Sequence, residues 1–368
     1  MRVLICGGGV IGASIAYFLS KRGVEAVVIE RTGIACAASG KSGGFLALDW
    51  CDGSPLAPLA RRSFELHAEL VAEFEGRWGY RRLETLGIAA SAWRKLGGSS
   101  DLGLPDWVAP DALLQQRLGS RATTAQVDPA AFTRGVMDAA IGRGARVQIG
   151  RVTGLARRSD DQRVTGVVMD GAVVEGDAVV IAMGPWSALA AEWLPLPAIY
   201  GLKGNSLIFR TSGPVSPHAL VVECEAEDGS VDSPEVFPRP DGTVYVCGLS
   251  SAAPLPADPA SVVPDPGAHE RLRAMTGTFA PALAQAEIVA AQACFRPVTR
   301  DGLPLIGRVH RLDGAYVATG HSVWGMLNAP ATGEAVAELI LDGATRAVDI
   351  RPFDPARLPA LRPDAGRA

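Results

Sequence analysis

The chain lacks the features that mark several classes of protein. None of its apolar runs reaches the roughly 18 residues that a membrane-spanning helix needs. Its formal net charge is only −4, and no basic block favours a nucleic-acid partner. Its six cysteines are scattered, without a CxxC pair or a metal-ligand spacing. We therefore expect no membrane segment, no nucleic acid and no metal, and we predict a reduced, cytoplasmic protein.

The first thirty residues carry a dinucleotide-binding pattern. The stretch RVLICGGGVIGASIAYFLSKRGVEAVVIE predicts a strand, a glycine turn, a helix and a second strand. In the turn, Gly7 permits the tight bend, Gly9 lets the backbone approach a pyrophosphate, and Gly12 lets the helix pack closely on the strand. Glu30 ends the second strand, where an acid can hold a ribose hydroxyl and disfavours a 2′-phosphate. Neighbouring predicted contacts are Val10, Ile11 and Arg31.

This pattern leaves NAD and FAD open, and the loop that follows favours FAD. Residues 35–48, ACAASGKSGGFLAL, are small, polar and glycine-rich. Their backbone amides and hydroxyls can reach a second stretch of cofactor, although an ordinary flexible loop has the same composition. The residues expected to contact the cofactor here are Ala38, Ser39, Gly40, Ser42, Gly43 and Gly44.

The rest of the chain predicts a mixture of helices and strands. Helices are expected over 55–78, 127–144 and 268–287, and a buried strand over 178–186 ends at Gly184, where the backbone can approach a ligand or simply turn. Residues 200–250 have β character with a hairpin turn at 239–243. Five prolines predict an extended surface loop over 251–267. A final strand, glycine loop and helix are expected over 314–343.

An arginine stands in an otherwise apolar stretch, CFRPVTRDGLPLIG. Phe295, Leu303 and Leu305 surround Arg296 with apolar side chains. A buried arginine is costly unless a fixed anion meets it. The anion is either a ligand or an internal acid such as Asp301.

The order of these motifs resembles that of the D-amino-acid oxidase superfamily, which includes glycine oxidase and sarcosine oxidase. The glycine turn with Glu30, the ASGKSGG loop, VVIAMGPWS, FRPVTRDGLPLIG and TGHSVWGMLNAPATG follow one another along nearly the whole chain. The resemblance implies an α/β fold with a Rossmann-type FAD-binding domain and an α+β substrate domain with an antiparallel sheet. The FAD domain is expected over 1–85, 126–197 and 291–355, the substrate domain over 86–125 and 198–290, and a loose tail over 356–368.

The resemblance also implies roles for individual residues. Arg296 is expected to bind a substrate carboxylate over the flavin, which suits the bidentate guanidinium–carboxylate pair. The helix beginning near Leu327 is expected to stabilise negative charge on the flavin. Cys294 and Asp301 keep the spacing of a covalent flavin site in sarcosine oxidase, but the motif is closer to glycine oxidase, so noncovalent FAD is favoured. Further expected FAD contacts are Val152, Ala182, Gly184, Trp186, Gly320, His321, Val323, Trp324, Gly325, Met326 and Leu327.

One position departs from the glycine oxidase pattern. Where a tyrosine is expected before the hairpin, PEVFPRPDG places Glu235, with Phe237 after it. This carboxylate could attract a cationic amine or face solvent, and it favours a bulkier or more basic amine, including an N-substituted glycine. Trp324 either walls the pocket or only packs.

The expected reaction is oxidation of the C–N bond of an amino acid or N-substituted glycine. Hydride passes to flavin N5, water hydrolyses the imine, and O2 is reduced to H2O2. Two alternatives remain: an FAD dehydrogenase of an amino or 2-hydroxy acid with another acceptor, and a non-catalytic FAD-binding assembly factor.

Overall fold

The computed structural model of the chain describes residues 1–75, 78–96, 103–158 and 163–362. Its helices are α1 Val10–Lys21, α2 Ala38–Lys41, α3 Ala57–Glu73, α4 Pro129–Ile141, α5 Ala268–Phe279, α6 Pro281–Ala284 and α7 Gly325–Leu341. Its strands are β1 Arg2–Cys6, β2 Glu25–Glu30, β3 Phe45–Ala47, β4 Arg81–Arg82, β5 Glu84–Ser91, β6 Leu113–Gly119, β7 Thr124–Gln126, β8 Arg146–Ile149, β9 Val152–Arg157, β10 Val164–Met169, β11 Ala172–Glu175, β12 Ala178–Ile181, β13 Ile199–Arg210, β14 His218–Glu225, β15 Val231–Asp232, β16 Glu235–Pro238, β17 Thr243–Ser251, β18 Glu287–Thr299, β19 Leu305–Arg308 and β20 Ala315–Thr319.

The first sheet has the strand order β19-β20-β12-β1-β2-β8. All its neighbours run parallel except β19 and β20. The apolar runs of β1 and β12 are fully buried, as expected for parallel strands covered on both faces. Helices α1, α3, α4 and α7 share one core with this sheet, and the small β9–β11 sheet packs on the other face.

The second large sheet is mainly antiparallel. Its order is β18-β13-β17-β16-β14-β5-β6, with β15 beside β14, and only β14 and β5 run parallel. Helices α5 and α6 cover one of its faces through a separate apolar core. A further small antiparallel sheet joins β3, β7 and β4. This combination of a Rossmann-type sheet with an antiparallel sheet confirms the predicted α/β fold class.

The local predictions hold for most elements, but the helix predicted over 268–287 consists of two helices, α5 and α6, and its last residue, Glu287, begins β18. The helix predicted over 127–144 is α4, and the side chain of Asp128 caps it by accepting a hydrogen bond of 2.7 Å from the amide of Ala131. The hairpin at 239–243 joins β16 and β17. In the described residues no helix is long and apolar enough to cross a membrane.

The division into domains stays a prediction, and two facts bear on it. Strand β18, which continues past residue 291 into the predicted FAD domain, pairs with β13 of the antiparallel sheet up to Thr299. In the predicted tail, Arg357 forms an ion pair of 2.8 Å with Asp301, and the amide of Leu361 donates to a carbonyl oxygen at 2.8 Å. Residues 363–368 of that tail lie outside the described part of the chain.

Candidate active site

A cavity of about 680 Å³ lies between the two large sheets. It begins at the carboxyl ends of β1 and β2, where Gly9 and Glu30 line it. It ends at the face of the antiparallel sheet that carries Glu235 and Arg296. Ligands of open α/β sheets bind at the carboxyl ends of the strands. The position of the cavity therefore suits a long cofactor with a substrate at its far end.

The glycine turn after β1 is shaped by close backbone contacts. Gly7 has a φ of +115°, and a Cβ there would lie 2.4 Å from the carbonyl oxygen of Ala182. A Cβ on Gly12 would lie 2.0 Å from the carbonyl oxygen of Gly7. Neither neighbour is a flexible side chain that could move away. The turn therefore leaves the N-terminus of α1 facing the cavity, where its positive end favours a pyrophosphate.

Side chains from the next two segments fix this turn. Glu30 is buried, and its Oε2 accepts a hydrogen bond of 2.6 Å from the amide of Gly8. Its Oε1 accepts a bond of 2.9 Å from the amide of Thr32. The hydroxyl of Ser39 accepts a bond of 2.9 Å from the amide of Val10. Glu30 also lines the cavity, so the predicted ribose contact is compatible with its structural hydrogen bonds.

The loop before α7 forms the opposite side of the cavity. His321 is buried, and its Nε2 lies 3.1 Å from the hydroxyl oxygen of Thr332. Burial lowers the pKa of His321 to about 3, so the imidazole is neutral. Behind the loop, Nε2 of buried His67 donates to the carbonyl oxygens of Met326 and Leu327 at 3.0 and 3.2 Å. These contacts hold the start of α7 against the cavity.

Arg296 faces the cavity without an acid partner. Arg296 lies on β18, which is separated from β17 by β13. Its guanidinium donates a hydrogen bond to the hydroxyl of Ser250 on β17. Its Nε has no hydrogen-bond partner, and it forms no ion pair with any described residue. Asp301, the internal acid considered as an alternative, is held instead by Arg357. The charge of Arg296 is therefore available to an anion in the cavity.

Glu235 lies in the same cavity and is not a solvent-facing residue. It is half-buried on β16, directly opposite Cys247 of β17. The Cys247 thiol donates to its Oε2 at 3.6 Å. Burial raises the pKa of the Glu235 carboxyl, while the thiol and the charge of Arg296 act in the opposite direction. Glu235 and Arg296 are thus close enough for their charges to interact, although they form no ion pair.

Cys294 also lines the cavity, two residues from Arg296 on the same strand. Burial raises the pKa of its thiol, although the charges of Arg296 and Lys41 act against the shift. A thiolate is the reactive form of cysteine, and this environment disfavours it. The arrangement is compatible with an inert thiol and noncovalent FAD, which stays a prediction.

An aromatic wall lies on the same side as Glu235. Phe237 stacks on Phe45 with ring centroids 5.2 Å apart, and Phe45 contacts Trp50 at 5.0 Å. Trp50 meets Trp324 edge to face at 6.2 Å. All four rings line the cavity. Trp324 therefore packs on another ring and also walls the pocket. Its position in the sequence did not distinguish between these two roles.

Most of the predicted site residues meet at this one cavity. Those that line it are Gly7, Gly9, Val10, Ile11, Glu30, Arg31, Ala38, Ser39, Ser42, Gly43, Gly44, Val152, Ala182, Gly184, Trp186, Glu235, Arg296, His321, Val323, Trp324, Gly325 and Met326. Four predicted residues do not line it: Gly12, Gly40, Gly320 and Leu327. Gly12 and Gly40 instead permit close backbone contacts, and Leu327 is fully buried in the core beside α1.

Several lining residues were missed by the sequence reading. Tyr245 and Cys247 of β17 and Trp50 are the clearest examples. The alternation of β17 gave a usable signal, because residues two apart on a strand share a face. Trp50 gave none, since it follows β3 in an irregular segment and reaches the cavity only through tertiary packing.

The cavity fits FAD in its shape and its chemistry. Gly184 and Gly204 line it, and a Cβ on either would meet no protein atom within 4 Å, so it would occupy the cavity itself. The glycine turn offers backbone amides to phosphates, and Arg31, Val152 and Trp186 surround the same end. The far end is aromatic and suits a flat ring.

Comparison with known proteins gives a consistent picture. The family model of DAO, described as FAD dependent oxidoreductase, matches residues 2–339. An oxidoreductase of Schizosaccharomyces pombe is 30% identical over 380 residues, which cover 96% of this chain and 97% of the relative. Glycine oxidase of Geobacillus kaustophilus is 28% identical over 395 residues, covering 96% of each chain.

Solved structures with a similar fold include oxidases of amino acids and related amines. The crystal structure of glycine oxidase from Geobacillus kaustophilus superposes with a TM-score of 0.80 at 26% identity, covering 97% of this chain and 99% of that chain. Iminodiacetate oxidase from Chelativorans sp. BNC1 has a TM-score of 0.76 at 23% identity, covering 96% and 99%. The second similarity is one of fold.

Proposed function

Because the chain belongs to the DAO family of FAD-dependent oxidoreductases, we propose that it oxidises the C–N bond of an amino acid or an N-substituted glycine. The observation that carries this proposal is the guanidinium of Arg296, which faces the cavity and forms no ion pair with any acid among the described residues. The glycine oxidases among its relatives support the same class of substrate.

Arg296 binds the substrate carboxylate in this proposal. A guanidinium and a carboxylate form two parallel charge-assisted hydrogen bonds, which fix orientation as well as position. The hydroxyl of Ser250 already holds one nitrogen of Arg296, so the side chain is placed before the substrate arrives. Preorganisation of this kind reduces the entropy lost on binding.

The amine must enter the cavity without its proton. When bound, FAD supplies the acceptor for the hydride that leaves the α-carbon. The lone pair of a neutral amine stabilises the positive charge that develops at that carbon. His321 is a poor base, because burial lowers its pKa to about 3 and its Nε2 already faces Thr332. We therefore expect the neutral fraction of the amine to set the rate at lower pH.

The proposed products follow from the balance of atoms. The amino acid loses two electrons and two protons to give an imine, and O2 takes both to become H2O2. Water then hydrolyses the imine to a 2-oxo acid and an amine or ammonia. A cytoplasmic location, predicted from the cysteine usage, is part of the same proposal.

The test is anaerobic mixing of purified enzyme with candidate substrates while the visible flavin absorbance is followed. The panel contains glycine, sarcosine, longer N-carboxymethyl amines, D-amino acids and 2-hydroxy acids. We expect bleaching by one class of amine and none by hydroxy acids. Bleaching by hydroxy acids alone would overturn the amine assignment, and a flavin that nothing bleaches would favour a non-catalytic assembly factor.

The Arg296→Met variant tests the carboxylate contact. We expect its half-saturating substrate concentration to rise about 30-fold to 1000-fold, the equivalent of about 2–4 kcal/mol. Arg300→Met is the matched control, because Arg300 is exposed in the turn after β18. An Arg296→Met variant with unchanged saturation would contradict the proposal. Stoichiometric H2O2 in air would distinguish an oxidase from a dehydrogenase with another acceptor.

A further inference from the structure

One face of the antiparallel sheet holds a cationic and an anionic side chain at the substrate end of the cavity. Arg296 lies on β18 and Glu235 on β16, and both line the cavity. Between them lie β13 and β17, where Gly204 has no side chain to fill the gap. The two charges therefore border one space without closing on each other.

The carboxylate of Glu235 lacks the partners that a buried anion needs. Its only hydrogen-bond donor among the described residues is the thiol of Cys247, which is a weak donor at 3.6 Å. No described lysine or arginine forms an ion pair with it. A carboxylate has about four acceptor positions, and burial without compensation is unfavourable. A cation in the cavity would provide that compensation.

The surroundings of Glu235 also favour a cation. Phe237 lies two residues further along the same face of β16, and its ring begins the aromatic wall of Phe45, Trp50 and Trp324. The faces of aromatic rings attract ammonium groups. A carboxylate next to aromatic rings is thus suited to an organic cation, whereas rings alone would suit any apolar group.

We propose that Glu235 and the aromatic wall hold a second, cationic nitrogen of the substrate. The substrates would then be amino acids or N-substituted glycines that carry an ammonium group in addition to the reacting amine. The carboxylate lies at Arg296, the permanent cation lies at Glu235, and the reacting amine lies between them. This inference rests on the proposed function, since it takes the carboxylate position from it.

The test measures binding of probes that cannot be oxidised. Trimethylammonioacetate and trimethylammoniobutanoate carry a carboxylate and a quaternary nitrogen, which has no lone pair to assist hydride loss. In their matched analogues a tert-butyl group replaces the trimethylammonium group, so shape is kept and charge is removed. Titration calorimetry on the FAD-loaded enzyme gives the dissociation constants. The neutral analogue is the more apolar, so a preference for the cation must come from charge.

We expect the wild-type enzyme to bind at least one cationic probe about tenfold more tightly than its neutral analogue. Glu235→Gln should reduce this preference to about threefold or less, and Glu235→Asp should retain most of it. Glu287→Gln, an exposed carboxylate at the start of β18, is the control and should change nothing. Flavin content and melting temperature confirm that each variant is folded.

The outcomes separate this inference from the function on which it rests. Equal binding of both probe types, lost in Arg296→Met and unaffected by Glu235→Gln, would overturn the cationic site and leave the carboxylate contact intact. Binding that is unaffected by Arg296→Met would overturn the proposed function. If the wild-type enzyme binds neither probe of any pair while an amine of the panel bleaches its flavin, the cationic site is overturned and the proposed function stands.

Discussion

The glycine turn after β1 and the wall formed by β16, β17 and β18 border the same cavity, but they are built in different ways. The turn is shaped mainly by close backbone contacts, where Gly12 lies against the carbonyl of Gly7 and Gly7 lies against the carbonyl of Ala182. The wall is built from side chains on three strands, and Glu235 and Arg296 are 61 positions apart in the sequence numbering.

This difference in construction separates the recognition of the cofactor, which the turn provides, from the recognition of the substrate, which the wall provides. The backbone amides of the turn suit phosphates, which every dinucleotide shares, and the close contacts of its glycines tolerate few substitutions. A side-chain wall can change one residue at a time while the sheet remains. We therefore expect substitutions in the turn to remove the cofactor and destabilise the fold, and substitutions in the wall to change which substrate binds.

The largest expected effect is that of Gly12→Ala. The new Cβ would lie 2.0 Å from the carbonyl oxygen of Gly7, and a backbone atom cannot rotate away. We expect the free energy of unfolding to fall by about 3 kcal/mol and the purified protein to lose most of its flavin. Denaturant unfolding and the ratio of flavin to protein absorbance measure the two effects.

Gly213→Ala is the control, because a Cβ there would meet no atom within 4 Å. It should leave both quantities nearly unchanged. A Gly12→Ala protein with a full complement of flavin would show that the glycine turn can relax. It would also contradict the proposed contrast between the turn and the wall.

The same contrast explains how much the sequence predicted. The turn was predictable because its strand, glycines, helix and acid lie within 30 residues, so the local pattern contains the whole argument. The spacing could not show that Glu30 also accepts a hydrogen bond from the amide of Gly8, since that contact depends on the path of the loop.

The wall was predictable only in part. Motif resemblance predicted a role for Arg296, and Glu235 was predicted as a departure from the motif. Their placement across two intervening strands follows from sheet order, which one sequence does not give. The partner of Asp301 is Arg357, from a segment predicted to be loose. Gly320 and Leu327 were predicted as cofactor contacts but do not line the cavity, because proximity in sequence to the α7 loop does not fix which backbone atoms face inward.

A second prediction concerns the support of the wall. Asp265 accepts hydrogen bonds from Lys203 at 2.6 Å, Asn205 at 3.0 Å and Ser251 at 2.7 Å, and so ties the proline-rich segment to β13 and β17. The bond from Lys203 is the main reason that the pKa of Asp265 is lowered to about 2. Asp265→Asn would leave the buried Lys203 ammonium without its anion, and we expect a loss of about 2 kcal/mol in unfolding free energy.

Asp258→Asn is the matched control in the same segment, because the Asp258 side chain is about half exposed and its ion pair with Arg31 is long at 3.9 Å. An Asp265→Asn variant as stable as the control would mean that water replaces the carboxylate. If the variant is less stable but keeps its flavin, the packing of the wall does not determine cofactor binding at the glycine turn, as the comparison implies.

The smallest effect concerns His67, which holds the start of α7 beside the cavity. Burial lowers the pKa of His67 to about 4 from 6.5, although hydrogen bonds to the carbonyls of Met326 and Leu327 oppose the shift. Between pH 6.5 and 4 the unfolded chain binds a proton that the folded chain excludes, so this contribution to stability is present above pH 6.5 and is lost as the pH falls. From pH 7.5 to 5.5 we expect His67 to account for a loss of about 1 kcal/mol in unfolding free energy.

His67→Gln should show a shallower pH dependence of the unfolding free energy, whereas His310→Gln, at an exposed histidine, should follow the wild type. Parallel curves for all three proteins would mean that His67 takes up its proton in the folded state, and that its contact with the start of α7 yields as the pH falls.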